Sequence, residues 1–150
     1  MSDKPFQRID SESNTAVGRD FERIARDFFE SKHRIKLTPS YQVRVGIGVR
    51  TKVRRFDLDC EEPATLIECK SHTWTVGGNM LSAKMTVWNE SMLYFHLAPN
   101  AFRKILFVLR SVRREQTLAE YYLHTHGHLV PEGVQIWEYD QFAHDARQVC

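Results

Sequence analysis

The stretch from Arg54 to His72 reads RRFDLDCEEPATLIECKSH, and the fold turns on how it is read. Asp59, Cys60, Glu61, Glu62 and Pro63 make a turn, because proline has no N–H to give to a ladder. One strand is predicted before the turn, over about Val53 to Leu58, and another after it, over about Thr65 to Lys70. Leu66, Ile67 and Cys69 give the second strand an apolar setting. Glu68 and Lys70 are two apart on it and therefore point to one face. With the turn centred near Glu62 and Pro63, Asp57 falls almost opposite Glu68, and facing Cβ atoms on antiparallel strands lie about 4.5–5.5 Å apart. Two carboxylates that close repel unless a proton or a cation lies between them. A divalent ion removes the conflict. Mg²⁺ prefers carboxylate oxygens and often binds through only one or two of them. Such an ion polarises a phosphate and lowers the pKa of a bound water. Lys70 stands where its charge can steady a pentacovalent phosphate.

Working outward, Val43, Val45, Ile47 and Val49 alternate with Gln42, Arg44, Gly46 and Gly48, which predicts a half-buried strand from Tyr41 to Val49. Before it, Val17, Phe21, Ile24, Ala25 and Phe28 recur at helical spacing and predict a helix over about Thr15 to Ser31, with Asn14 or Thr15 as cap. Residues 1–14 read as a polar tail and 15–150 as a single domain. After the motif, Gly77 and Gly78 break the chain. Met80 to Phe95 reads as a long helix, with Met80, Ala83, Val87, Ser91, Tyr94 and Phe95 on its inner face. The apolar run Ile105 to Leu109 predicts a strand buried on both sides. A helix follows from Glu115 to about Thr125, with Gly127 as its stop, then a strand from Val134 to Tyr139 and a short terminal helix. The expected fold class is α/β. Three strands form an antiparallel meander, and the strand after the long helix joins by a right-handed crossover. The result is a mixed central sheet flanked by helices.

Asp57 followed by Glu68-Cys69-Lys70 at the end of an apolar strand resembles the PD-(D/E)XK nuclease superfamily, whose restriction-endonuclease-like fold has an αβββαβ core. The same element order runs here from Thr15 to Leu109, about two thirds of the chain. The resemblance implies a Mg²⁺-dependent endonuclease, with Mn²⁺ able to substitute, acting on nucleic acid, with DNA rather than RNA the expected substrate. It implies that Asp57 and Glu68 bind the ion, that the Cys69 backbone carbonyl adds a ligand, and that Lys70 is the catalytic lysine. Glu22, in GRDFERIA on the first helix, is placed to complete the site, with Asp20 and Asp27 as other acids on that helix. Lys84 on the following helix, or Arg55 on the hairpin, would meet the substrate phosphate. The proline of the family motif is absent, and Phe56 precedes Asp57. Asp59 has the same strand parity as Asp57 and stands as the second candidate ligand. A homodimer would be the simplest way to cut both strands of a duplex. A nucleic-acid-binding or assembly module on the same fold, without catalysis, is the alternative function. An interaction domain unconnected with nucleic acid is a third.

Composition agrees with a soluble domain: 42% of residues are apolar and 27% charged, so neither a disordered chain nor a membrane span is indicated. Met1 to Asp10 has no apolar signal-peptide core, and the expected location is cytoplasmic. Cys60, Cys69 and Cys150 are an odd set without metal-site spacing, as suits reduced thiols. The net charge is only +2, but positive residues cluster at Lys32 to Lys36, Arg44 to Arg55 and Arg103 to Arg114. Cys69 reads as a small buried hydrophobe rather than a partner for His72. His124, His126 and His128 read as exposed. Trp74 is a candidate to stack on a base, whereas Trp88 reads as core. Gly46 and Gly48 lie inside a predicted strand and open no helix, so they form no nucleotide loop.

Overall fold

A computed structural model describes residues 11–39, 42–61, 63–75 and 82–150. The first helix, α1 (Ser11–His33), starts before the expected Asn14 or Thr15 cap. Two short strands follow, β1 (Thr38–Pro39) and β2 (Gln42–Val45). Then come β3 (Lys52–Arg55), β4 (Leu58–Glu61) and β5 (Ala64–Lys70). The second half holds α2 (Ser82–Leu97), β6 (Arg103–Leu109), β7 (Val112–Arg113), β8 (Gln116–Thr117) and α3 (Leu118–His126). A 3₁₀ turn (Gly127–Leu129), β9 (Gln135–Asp140) and β10 (Asp145–Gln148) close it. The main sheet runs β1-β4-β5-β6-β9-β10. β5–β6 and β6–β9 are parallel, and the outer pairs are antiparallel. This is a mixed sheet in an α/β protein, as expected.

Period-two alternation sorts the sheet residues between two cores. Ile67, Ile105, Phe107, Leu109 and Tyr139 meet Phe21, Ala25, Phe28 and Phe29 of α1. Leu66, Leu106, Val108 and Ile136 face the other way, onto Met85, Trp88, Met92 and Phe95 of α2 and Leu118 and Tyr122 of α3. Trp88 is fully buried, as read from sequence.

Several expectations are corrected. The strand predicted over Val53 to Leu58 is broken. Phe56 and Leu58 would share a face in an unbroken strand, yet Phe56 lies in the α2 core and Leu58 in the α1 core. The chain bends at Asp57 to allow this. β2 and β3 therefore form a separate two-stranded sheet, and the three-strand meander is reduced to β4–β5 in the main sheet. The strand predicted to Val49 ends at Val45, because Gly46 takes φ 137° and gives its N–H to the Leu97 carbonyl at 2.9 Å. Ile47 and Val49 consequently leave the ladder for solvent.

The inner face of α2 is Met85, Trp88, Ser91, Met92 and Phe95, while Val87 and Ala83 face outward. Apolar residues surround this helix, so periodicity alone misplaced the face. Glu115 is not helical: Arg114 and Glu115 take left-handed conformations between β7 and β8. The helix starts later, where Thr117 Oγ1 accepts from the Glu120 N–H at 3.1 Å. The terminal segment is strand β10 on the edge of β9, not a helix. His126 is half-buried and stacks on Tyr122. The polar tail to Asp10, Tyr41, Gly77, Gly78 and Met80 lie outside the described residues, as does the side chain of Val17. No described helix is long and apolar enough to cross a membrane.

Candidate metal centre

The break between β3 and β4 builds the site. The register Leu58↔Ile67, continued by one residue, sets Asp57 opposite Glu68. At the bend Asp57 is off the ladder, and its Oδ2 accepts the Cys69 N–H at 2.8 Å, the bond a strand partner would otherwise have taken. Glu68 and Lys70 share the α2-facing side of β5, with Glu68 Oε2 3.9 Å from Lys70 Nζ. Glu22 comes from α1, on the opposite layer. Asp57 lies between the layers, and its charge acts on the carboxyls of both Glu22 and Glu68.

Glu68 is 2% exposed. Burial, and then the charge of Asp57, push its carboxyl up to about 8, against the lowering effect of Lys70 and Arg54. Burial and Asp57 likewise push Glu22 up to about 7, while Arg19 and Lys70 oppose them. The Cys69 thiol faces the α1 layer and is raised well above the usual range by burial and by the surrounding carboxylates. It is therefore no nucleophile. Its backbone N–H and C=O leave the same edge of β5, the edge that faces Asp57.

Among the described residues, no three side chains of the His, Cys, Asp or Glu type are grouped so as to enclose one metal ion. The carboxylates instead form two pairs that share Asp57. A pair of carboxylates with a carbonyl at hand is a donor set that Mg²⁺ accepts, because that ion keeps several of its waters. Cations already flank the pair. Together they can hold a divalent ion, settle an anion beside Lys70 and keep a proton on Glu22 or Glu68 near neutral pH.

Of the other residues read from sequence, Asp59 is buried one step further down the sheet, paired with Leu66. Asp20 and Asp27 are exposed on α1, leaving Glu22 as the acid of that helix brought to Asp57. Arg55 is exposed on the outer side of the β2–β3 hairpin. Lys84 Nζ donates to the Thr73 carbonyl at 2.6 Å and so ties α2 to the segment that follows Lys70. Trp74 packs edge-on against Tyr121 at 5.1 Å with the Arg113 guanidinium above it. It is half-buried rather than splayed for stacking. His72 Nδ1 accepts from the Trp88 indole at 2.9 Å.

Sequence reasoning missed two sets of cations. Arg54 donates to Glu68 Oε1 at 3.1 Å, and its guanidinium lies 3.6 Å from the centre of the Tyr94 ring. The strand break hid it, since Arg54 packs with Phe56 rather than with Leu58. Arg19, Arg23 and Arg26 line a cleft of about 180 Å³ beside Glu22. Their i, i+4, i+7 spacing was the available signal. No protein-family model, no curated protein and no solved structure matches this chain.

Proposed function

We propose that this chain is a metal-dependent nuclease of the PD-(D/E)XK type, hydrolysing phosphodiester bonds of nucleic acid, with DNA as its substrate. One observation carries the reading: Asp57, at the bend, stands between Glu22 of α1 and Glu68 of β5, and burial and then its charge raise these two to about 7 and about 8. Carboxylates turned on one another in a half-dry site favour a divalent cation. Asp57 and Glu68 would hold Mg²⁺ or Mn²⁺, with the Cys69 carbonyl as a further ligand. When bound, the ion supplies Lewis-acid stabilisation of phosphate charge and activates water at neutral pH.

The chain's own residues do the rest. Lys70 holds a positive charge beside Glu68, where charge accumulates on the phosphate in the transition state. In the metal-free site, burial and then Asp57 raise the Glu22 carboxyl to about 7, the range a general acid or base requires. Arg54 orients Glu68 and lowers the cost of its ionisation. Arg19, Arg23 and Arg26 give the entry beside Glu22 a positive field that draws a polyanion in. Lys84 holds Thr73, and with it the path of the chain beyond the site. One such site cuts one strand at a time, so cutting both strands would need two copies.

The test is plasmid cleavage in Mg²⁺, Mn²⁺ and EDTA, for the native chain beside Glu68→Ala and Lys70→Ala. Metal-dependent nicking lost in both variants is expected. No cleavage of duplex, branched or single-stranded DNA, or of RNA, in either metal would replace the nuclease with a binding module.

A further inference from the structure

Apart from Arg54, the β2–β3 hairpin is not used by the chemistry above, and its charge is of one sign. Between Gln42 and Phe56 the sequence holds five basic residues, Arg44, Arg50, Lys52, Arg54 and Arg55, and no acidic one. Arg54 is committed to Glu68; the other four are exposed. One face of the hairpin carries Val43 and Val45 into the α2 core, whereas Gln42, Arg44, Val53 and Arg55 form the outer face. At the tip, Ile47 is 75% and Val49 101% exposed. Two bare β-branched residues among arginines leave apolar surface in water until something apolar receives them.

The tip is also held in shape. Gly46 is anchored to the Leu97 carbonyl. A Cβ there would lie 2.6 Å from the Arg50 carbonyl oxygen, so only glycine permits this crossing of the chain. Arg44 Nη1 donates to Thr51 Oγ1 at 2.9 Å across the neck. An arm ordered in advance loses less freedom when it binds. Finally, β3 runs directly into the bend at Asp57, so whatever lies along the hairpin is led to the carboxylates.

We propose that this hairpin is the arm that engages duplex DNA. Arg44 and Arg55 of the outer face, with Arg50 at the tip, track the phosphates, and Ile47 and Val49 enter the minor groove and wedge a base step. Resting on the nuclease reading, it also sets where the cut falls. Val49 to Asp57 spans at most about 28 Å of extended chain, and duplex rises about 3.4 Å per base pair, so cleavage lies within about eight base pairs of the wedged step.

The test is anisotropy of a labelled duplex of about 30 base pairs in EDTA, where no cleavage intervenes, with 2-aminopurine placed along the same duplex to report unstacking. Native protein is compared with Ile47→Ser/Val49→Ser and with Arg50→Gln/Arg55→Gln, which leave the Arg44–Thr51 bond across the neck in place. All these side chains are exposed, so unchanged melting checks the fold. The arginine variant should bind about tenfold or more weakly, with a salt slope reduced by up to about 0.9 for each phosphate no longer neutralised. The tip variant should lose the 2-aminopurine signal. Hairpin-dependent binding without any cleavage would keep the arm and remove the nuclease. Cleavage and binding untouched in both variants would remove the arm and keep the nuclease. Binding of anionic vesicles in place of duplex would overturn the arm as a DNA device, and no binding to any nucleic acid would overturn both.

Discussion

Glu68 and Glu138 are two buried carboxylates on the same face of one sheet, and they have opposite surroundings. The register Lys70↔Val108↔Glu138 puts Glu138 level with Lys70, two strands from β5 and two residues further along the sheet than Glu68. Each is 2% exposed or less and has two cations within 4 Å. Around Glu138 the arginines dominate. Arg147 donates its Nε to Oε1, and Arg110 lies 3.8 Å away. Arg147 also reaches Glu120, and Arg110 reaches Asp140, so the second carboxylates are drawn outward, each onto an arginine. Around Glu68 the second and third carboxylates are drawn inward, onto Glu68 and onto one another through Asp57. The first arrangement neutralises itself and ties β9 to β10 and α3. The second leaves negative charge to be neutralised by a proton or a metal. Burial of an acid is therefore not the mark of a site; what its neighbours do with their charge is.

The largest effect that could break this contrast is on cleavage. Glu68→Gln should reduce metal-dependent cleavage by about 10²-fold or more, as does removal of a charge-stabilising group in a reaction centre. Glu138→Gln should leave it within about threefold, because it touches no reacting atom. Equal losses in both variants would merge the two sites.

A smaller effect is on stability. Glu68 and Glu22 have folded values of about 8 and about 7, above the ordinary 4.5. Raised carboxyl values stabilise the fold below the unfolded value, and that contribution fades as pH rises through the folded one. Metal-free protein should therefore melt at progressively lower temperature between about pH 4.5 and pH 8, by a free energy on the order of a few kcal/mol. Mg²⁺ should restore the loss at about pH 8 and do little at about pH 5. In Glu68→Gln the slope should flatten; in Glu138→Gln it should persist.

The smallest effect separates the arginines. Arg54→Ala removes a bond to a buried carboxylate and the stacking over Tyr94, and should cost about 2–3 kcal/mol of stability. Arg110→Ala, at 3.8 Å from its partners and partly exposed, should cost less than about 1 kcal/mol by thermal or urea melting.

Much of the first region was legible; of the second, the strand that carries Glu138 was legible and its ion pairs were not. The turn at Pro63 set the register that places Asp57 opposite Glu68, and alternation on β5 put Lys70 on the face of Glu68. Helical spacing around Phe21 and Phe28 located α1. What the sequence hid follows from tertiary packing. Nothing in RRFDLD announces that Phe56 and Leu58 enter different cores, so the bend at Asp57 and the role of Arg54 stayed hidden with it. Glu138 lies in an ordinary alternating strand, and its partner Arg147 belongs to a segment whose expected helix became β10 by pairing on a sheet edge. Edge pairing depends on a neighbour supplied by the tertiary fold, which local propensity cannot provide.

The most direct measurement of the central claim is Mn²⁺ binding by calorimetry at about pH 7, in buffers of different ionisation enthalpy, for native protein, Glu68→Gln and Glu138→Gln. The expected result is a saturable site whose binding releases protons from the Glu22–Asp57–Glu68 set, is abolished by Glu68→Gln and is unchanged by Glu138→Gln. Absence of binding in the native chain, or binding without proton release that survives Glu68→Gln, would contradict it.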